Sequence, residues 1–301
     1  MGIPPARPSL LQRLLLNPAE RRPRAAWRLL GQLVLLVLIF ILLGIPLGFW
    51  VAFFPGLSEE TLLVVTNILA AIAITLSVYL ARRTLDRRSF TSLGLRWDSL
   101  AARDLLFGIL LAGLLMGLIF LVECAAGWLH FEGYTWEQQS WENILLGLLV
   151  SGLVFVLVGW YQELLSRGYW LQNLRDGLNL AWSVAISSAL FALAHSLNPN
   201  VTWVAIIGLF VAGLFLAYGY LRTGQLWLSI GLHIGWNFFE GTVFGFPVSG
   251  ALPFTLIRQS VQGPQLVTGG EFGPEAGLIV LLAMLLGAGL IYAYTINRLK
   301  V

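Results

Sequence analysis

Apolar side chains occur along this chain in long, nearly unbroken runs divided by short polar connections. The pattern is one of membrane spans rather than of helices with one wet face. About 20 apolar residues suffice to cross a bilayer as a helix. Eight runs approach that length: 29–53 (interrupted by Pro46), 61–81, 105–128, 143–165, 180–197, 201–221, 226–246 and 276–296. The expected fold is therefore all-α and polytopic, with about eight transmembrane helices. Residues 1–26 read as a basic N-terminal segment and 27–301 as a single transmembrane helical domain. The first apolar run is too long for the core of a secretory signal, so the N-terminal segment is expected to be retained. The 84–96 connection (TLDRRSFTSLGLR) reads as a short interfacial helix. Residues 247–274, rich in Gly and Pro, read as a long loop, either a lid on one face or an ordinary surface connection.

Composition strengthens the membrane reading. Of 301 residues 58% are hydrophobic and 11% charged, against about 25% charged in soluble domains; the mean hydropathy is +0.81. Net charge is +3, but the basic residues lie between spans, where they set orientation and meet anionic lipid headgroups. No nucleic-acid motif is present, and lipid is the expected surrounding partner. Arg7, Arg13, Arg21, Arg22 and Arg24, the 82–103 connection, Arg167–Arg175, Arg222, Arg298 and Lys300 fall on one side of eight spans. Glu59, Glu60, Glu132, Glu137, Glu142, Glu271 and Glu275 fall on the other, with Arg258 alone against them. Both termini are thus expected in the cytoplasm. Cys124 is the single cysteine, which excludes an intramolecular disulfide and a zinc site built on cysteines.

Ionisable groups inside hydrocarbon cost about 2.5–3.5 kcal/mol each on the insertion scale, and persist where they pair or face an internal cavity. Two of the three histidines, His195 and His233, fall inside apolar spans. Glu163 and Arg167, four apart, share a helical face and can form a charge-assisted hydrogen bond. Phe191 and His195, and His233 and Asn237, repeat that spacing. Each pair alone has a plain structural reading: an interfacial ion pair, an interhelical hydrogen bond or packing glue. Together, an acid, bases and an amide arrive from the fourth, fifth and seventh spans. A hydrolytic site needs such a supply, a base for water and donors for the developing oxyanion.

The ordered motifs QELLSRG (162–168), FALAH (191–195) and HIGWN (233–237) resemble the CPBP family of intramembrane endopeptidases, the CAAX-protease and bacteriocin-processing group. The resemblance covers about residues 105–245. It implies a helical membrane-embedded protease, expected in a bacterial plasma membrane, that hydrolyses a peptide bond with glutamate- and histidine-activated water. In the family pattern Glu-Glu-x-x-x-Arg the first glutamate and the first histidine, here His195, act on water. His233 and Asn237 correspond to the oxyanion-stabilising or metal-ligating pair, and Arg167 orients the glutamates. The donor set Glu163, His195, His233 and Asn237 fits either a divalent metal, zinc, or a metal-free site.

This chain departs from the pattern at its first position, where Gln162 replaces glutamate. An amide is neither a base nor an anionic ligand. Glu163 takes over that role, or the chain is a catalytically impaired relative that binds a membrane partner as an immunity or assembly factor, or Gln162 is an introduced substitution. The first option faces the ~100° between successive helical positions. A proton-relaying transporter is a third class of function, disfavoured by the lack of an internal repeat. The span limits also carry a conflict. Glu163 falls near the end of the fourth span and His195 about sixteen residues, ~24 Å, into the fifth. Either the fifth span starts deeper, or the fourth continues past Arg167 as one long helix.

Overall fold

The computed structural model describes residues 15–17, 22–54 and 56–298; Arg7, Arg13, Arg21 and Lys300 lie outside them. The first helices are α1 (Ala25–Phe53), α2 (Glu59–Thr84) and α3 (Ser99–Ala125). A strand, β1 (Leu129–Tyr134), precedes α4 (Trp141–Glu163), which runs through a π-helical stretch, Leu164–Trp170, into α5 (Leu171–Gly177). Then come α6 (Leu180–Leu193), α7 (Trp203–Thr223) and α8 (Trp227–Asn237), the last continued by a second π-helical stretch, Phe238–Val243. Strand β2 (Ile257–Val261) pairs antiparallel with β1, and α9 (Leu278–Thr295) closes the chain.

Among the described residues six helices are long and apolar enough to cross a membrane: α1, α2, α3, the continuous 37-residue Trp141–Gly177, α7 and α9. The chain is an all-α polytopic membrane protein. The fifth and seventh of the eight expected runs form the shorter helices α6 and α8, which fall below that length. Large apolar residues such as Leu42, Leu110, Leu149 and Leu285 point outward, as a lipid-facing surface requires, while the backbone bonds itself within helices.

Local chemistry sets the helix starts. Ser58, Asp98, Ser140, Asn179 and Thr202 each accept a bond from a backbone N–H in the first turn of α2, α3, α4, α6 and α7, satisfying donors that a helix start leaves open. The 84–96 connection forms one 3-10 turn, Phe90–Leu93, rather than an interfacial helix. Its Leu93 is fully buried and its carbonyl accepts from the Gln172 amide at 2.8 Å.

The closest packing in the bundle is between α3 and α8. A Cβ at Gly108 would lie 2.6 Å from Leu228 O and Leu232 N, and one at Gly231 would collide with the Leu105 carbonyl. Small residues let membrane helices approach this closely. Gly231→Ala should therefore destabilise the protein by about 1–3 kcal/mol through overpacking. Thermal unfolding in detergent measures this, and an unchanged midpoint would show that the helices can separate freely.

Candidate functional site

Glu163 is the last residue of α4 proper, and the π-helical stretch begins directly after it. The helix then runs on to Gly177, so the fourth span does continue past Arg167. Glu163 lies fourteen residues before Gly177 on this helix, and His195 fifteen after Leu180, the start of α6. At 1.5 Å per residue both sit ~21 Å from the α5–α6 turn, which removes the conflict in depth. Each π-helical stretch adjoins a polar residue of the site, Glu163 in one case and Asn237 in the other. An extra residue in a turn re-aims the side chains around it, and such turns are frequent at functional sites.

The polar core of the site is an ion pair with a histidine attached. Arg167 Nη1 donates to Glu163 Oε1 at 2.8 Å, and His233 Nδ1 lies 2.8 Å from the same oxygen. Arg167 also donates to the Gly213 carbonyl at 3.0 Å and lies 4.4 Å from the centre of the Phe191 ring. Glu163 and Arg167 are fully enclosed. Because a carboxylate only accepts, His233 Nδ1 carries the hydrogen of that bond, leaving Nε2 as its second functional atom. His195 is arranged alike, with Nδ1 at 2.8 Å from the Phe191 carbonyl. Both imidazoles are thus held in one tautomer and direction by a group behind them.

A cavity of about 370 Å³ lies in front of this core, with Gln162, His195, His233 and Asn237 on its walls. The structure therefore separates the six sequence candidates into two groups. Gln162, His195, His233 and Asn237 face the cavity; Glu163 and Arg167 stand behind His233. Glu163 Oε1 bonds both Arg167 and His233, and Glu163 is not among the residues lining the cavity. Among the described residues no group of three His, Cys, Asp or Glu side chains is placed to hold a metal ion.

Further polar residues line the cavity and were not singled out as site residues from the sequence, among them Asn198, Ser249 and Glu275. The last two come from the 247–277 segment, which folds into the bundle rather than lying over it. Asn198 Nδ2 donates to the Ser249 carbonyl at 3.0 Å, and Gly250 N–H to the Phe272 carbonyl at 2.9 Å. Ser249 has a left-handed backbone, φ 48°, uncommon for a residue with a side chain. Its hydroxyl donates to Glu275 Oε2. Burial pushes the Glu275 carboxyl above the ordinary carboxylate range, while the Ser249 hydroxyl pulls the other way. The sequence signal for Glu275 is thin, an acid three residues before the apolar start of α9.

The fold and site define an integral membrane protein with a partly open cavity on whose walls two oriented histidines and side-chain amides stand among apolar residues. Residues 143–239 match the model of a family described as Rce1-like, type II CAAX prenyl endopeptidase Rce1-like. This is the CPBP family, and over that segment the chain is similar to it. The match contains QELLSRG, FALAH and HIGWN whole. No curated protein and no solved structure matches the chain.

Proposed function

We propose that this protein is an intramembrane endopeptidase that hydrolyses a peptide bond in the cavity between α4, α6 and α8. The observation that carries the reading is the paired arrangement of His195 and His233. Each has Nδ1 tied back, to a carbonyl and to a carboxylate, with its Nε2 left for the cavity. His195 is the proton-transfer group. Its Nε2 takes part in moving the proton of the attacking water toward the leaving amine. His233, anchored by Glu163 through Nδ1, faces the oxyanion, and the Asn237 amide donates to it. Glu163 and Arg167 are positioning residues that act through His233. The substrate is a peptide reached from the lipid phase, and the basic helix ends at Arg82, Arg175, Arg222 and Arg298 face the cytoplasm.

Gln162 favours a second reading, a family member that binds a peptide or lipid without cleaving it, because a neutral amide lines the cavity. The test is cleavage of quenched fluorogenic peptides, farnesylated and unmodified, by the protein in liposomes. His195→Ala and His233→Ala should each lower kcat/KM at least a thousandfold while the unfolding midpoint stays within a few degrees. If the parent is inert and Gln162→Glu cleaves, the second reading replaces the first. If His195→Ala cuts as fast as the parent, the assigned site is wrong.

A further inference from the structure

Hydrolysis of an amide by water needs a group that accepts the water's proton, and a carboxylate is the usual partner of a histidine in that work. Gln162 faces the cavity but cannot accept a proton at any accessible pH. Glu163 has the right chemistry and the wrong direction, since its Oε1 is bonded to Arg167 and His233 behind the cavity wall. Among the described residues Glu275 is the one carboxylate that lines the cavity with His195, His233 and Asn237. It also lines a smaller hollow, with His233, Asn237 and Trp236.

Several contacts build Glu275 into this place. The turn Pro274–Ala276 lies against α7 so tightly that a Cβ at Gly208 would collide with the Glu275 carbonyl. Gly250 meets the Pro199 carbonyl in the same way, and Gly273 meets that of Pro247, which locks the 198–200, 247–251 and 270–277 stretches together. The Ser249 hydroxyl donates to Oε2, and the Ser249 backbone N–H and the Trp236 indole also bear on the carboxyl, which fixes it at the cavity wall.

We infer that Glu275, delivered by the 247–277 segment, is the water-activating carboxylate of this site and does the work that Gln162 cannot do. This rests on the endopeptidase reading above. Glu275 takes a proton from water as the water oxygen bonds to the scissile carbonyl carbon. The carbonyl π pair moves onto oxygen, where the Asn237 amide, beside His233, donates to it. The proton passes through His195 to the amide nitrogen, the C–N bond breaks with its electron pair leaving on nitrogen, and the oxyanion reforms the carbonyl. One water is consumed, and a carboxylic acid and an amine are released, with nothing oxidised or reduced.

The test uses the full-length protein in liposomes, a farnesylated quenched peptide and four proteins: the parent, Glu275→Gln, Gln162→Glu and the double variant. Glu275→Gln keeps the size of the side chain and an acceptor for Ser249, so its fold is expected to survive, as thermal unfolding will show. Its kcat should fall at least a hundredfold with KM within about threefold. The double variant should regain at least tenfold of that loss, because position 162 shares the cavity. The parent's kcat/KM should rise with pH through a limb above the ordinary carboxylate range, and Glu275→Gln should lack that limb. His233 of α8, His195 beyond α6, Ser249 and the buried Glu240 are the groups that face Glu275 and set its position. A Glu275→Gln protein that retains a tenth or more of the parent's kcat overturns the proposal and leaves the endopeptidase reading intact. So does a double variant with no recovery. A parent inert where Gln162→Glu cleaves also overturns it, since Glu275 then supplies nothing. If neither cleaves any peptide, the endopeptidase reading fails and the proposal with it.

Discussion

Replacing Arg167 by Met is expected to destabilise the protein by about 3 kcal/mol and to reduce cleavage at least a hundredfold. Arg167 is enclosed, and its guanidinium holds Glu163, the Gly213 carbonyl and the face of Phe191 at once. Methionine fills much of the volume and removes all three interactions. Glu163 then keeps its charge in a low-dielectric site with only His233 beside it, and losing one partner of a buried pair usually costs 3–5 kcal/mol. The catalytic loss has a separate cause, because an unanchored Glu163 no longer fixes the direction of His233. Unfolding in a detergent series gives the stability, and a double-mutant cycle with Glu163→Gln isolates the pair. A single variant as stable as the parent would mean that the ion pair contributes nothing to holding the helix against α7 and α8. Glu163→Gln combined with Arg167→Met should recover part of the stability and none of the activity.

The same ion pair shows what was legible in the chain. The i, i+4 spacing of Glu163 and Arg167 put both on one helical face, and the bond between them is present at 2.8 Å. The apolar runs marked every membrane helix, since a bilayer leaves few other ways to satisfy a backbone. The limits of those runs were less informative. Hydropathy stops the fourth span near residue 165, where polar residues begin, yet the helix continues to Gly177. Polar side chains inside a bundle look like a span end when only composition is read.

What escaped the sequence depends on contacts between distant segments. The π-helical stretch after Glu163 changes the angular spacing of the side chains within it, and no periodicity rule locates an extra residue in a turn. The 247–277 segment has the Gly and Pro content of a surface loop. Its glycines instead permit close approach: a side chain at Gly250 or Gly273 would strike the carbonyl of Pro199 or Pro247. Glu275, counted with the acidic surface residues by its place next to a span, is carried inward by that folding. The effect is large because a buried carboxylate beside two histidines can do chemistry that one in water cannot.

Asp86 is the second residue whose role lies in contacts far along the chain, and Asp86→Ala should cost about 3–5 kcal/mol, the usual loss when one partner of a buried ion pair is removed. The residue follows α2 in the 84–96 connection and is buried. Arg82 Nη1 donates to its Oδ2 at 2.8 Å and Arg28 Nη1 to its Oδ1 at 3.3 Å. The Tyr169 hydroxyl and the Asn173 amide donate to it as well, each at 3.3 Å. One carboxylate thus joins α1, the end of α2, and the helix that carries Glu163 and Arg167. Removing it leaves two buried guanidinium groups facing each other across the gap. Arg28 retains Asp176 at 3.0 Å, and Arg82 retains Ser92 at 2.9 Å, so neither is stripped of every partner. The repulsion between the two cations remains and is weakly screened in a buried site. Asp86→Asn keeps the shape and two acceptor directions at most, so its loss should fall between that of the parent and that of alanine. Detergent unfolding of the two variants, with Arg82→Met added to Asp86→Ala, measures the effect. Stability should return in part once the second cation is gone, and a triple comparison with no recovery would show that packing, not charge, sets the cost.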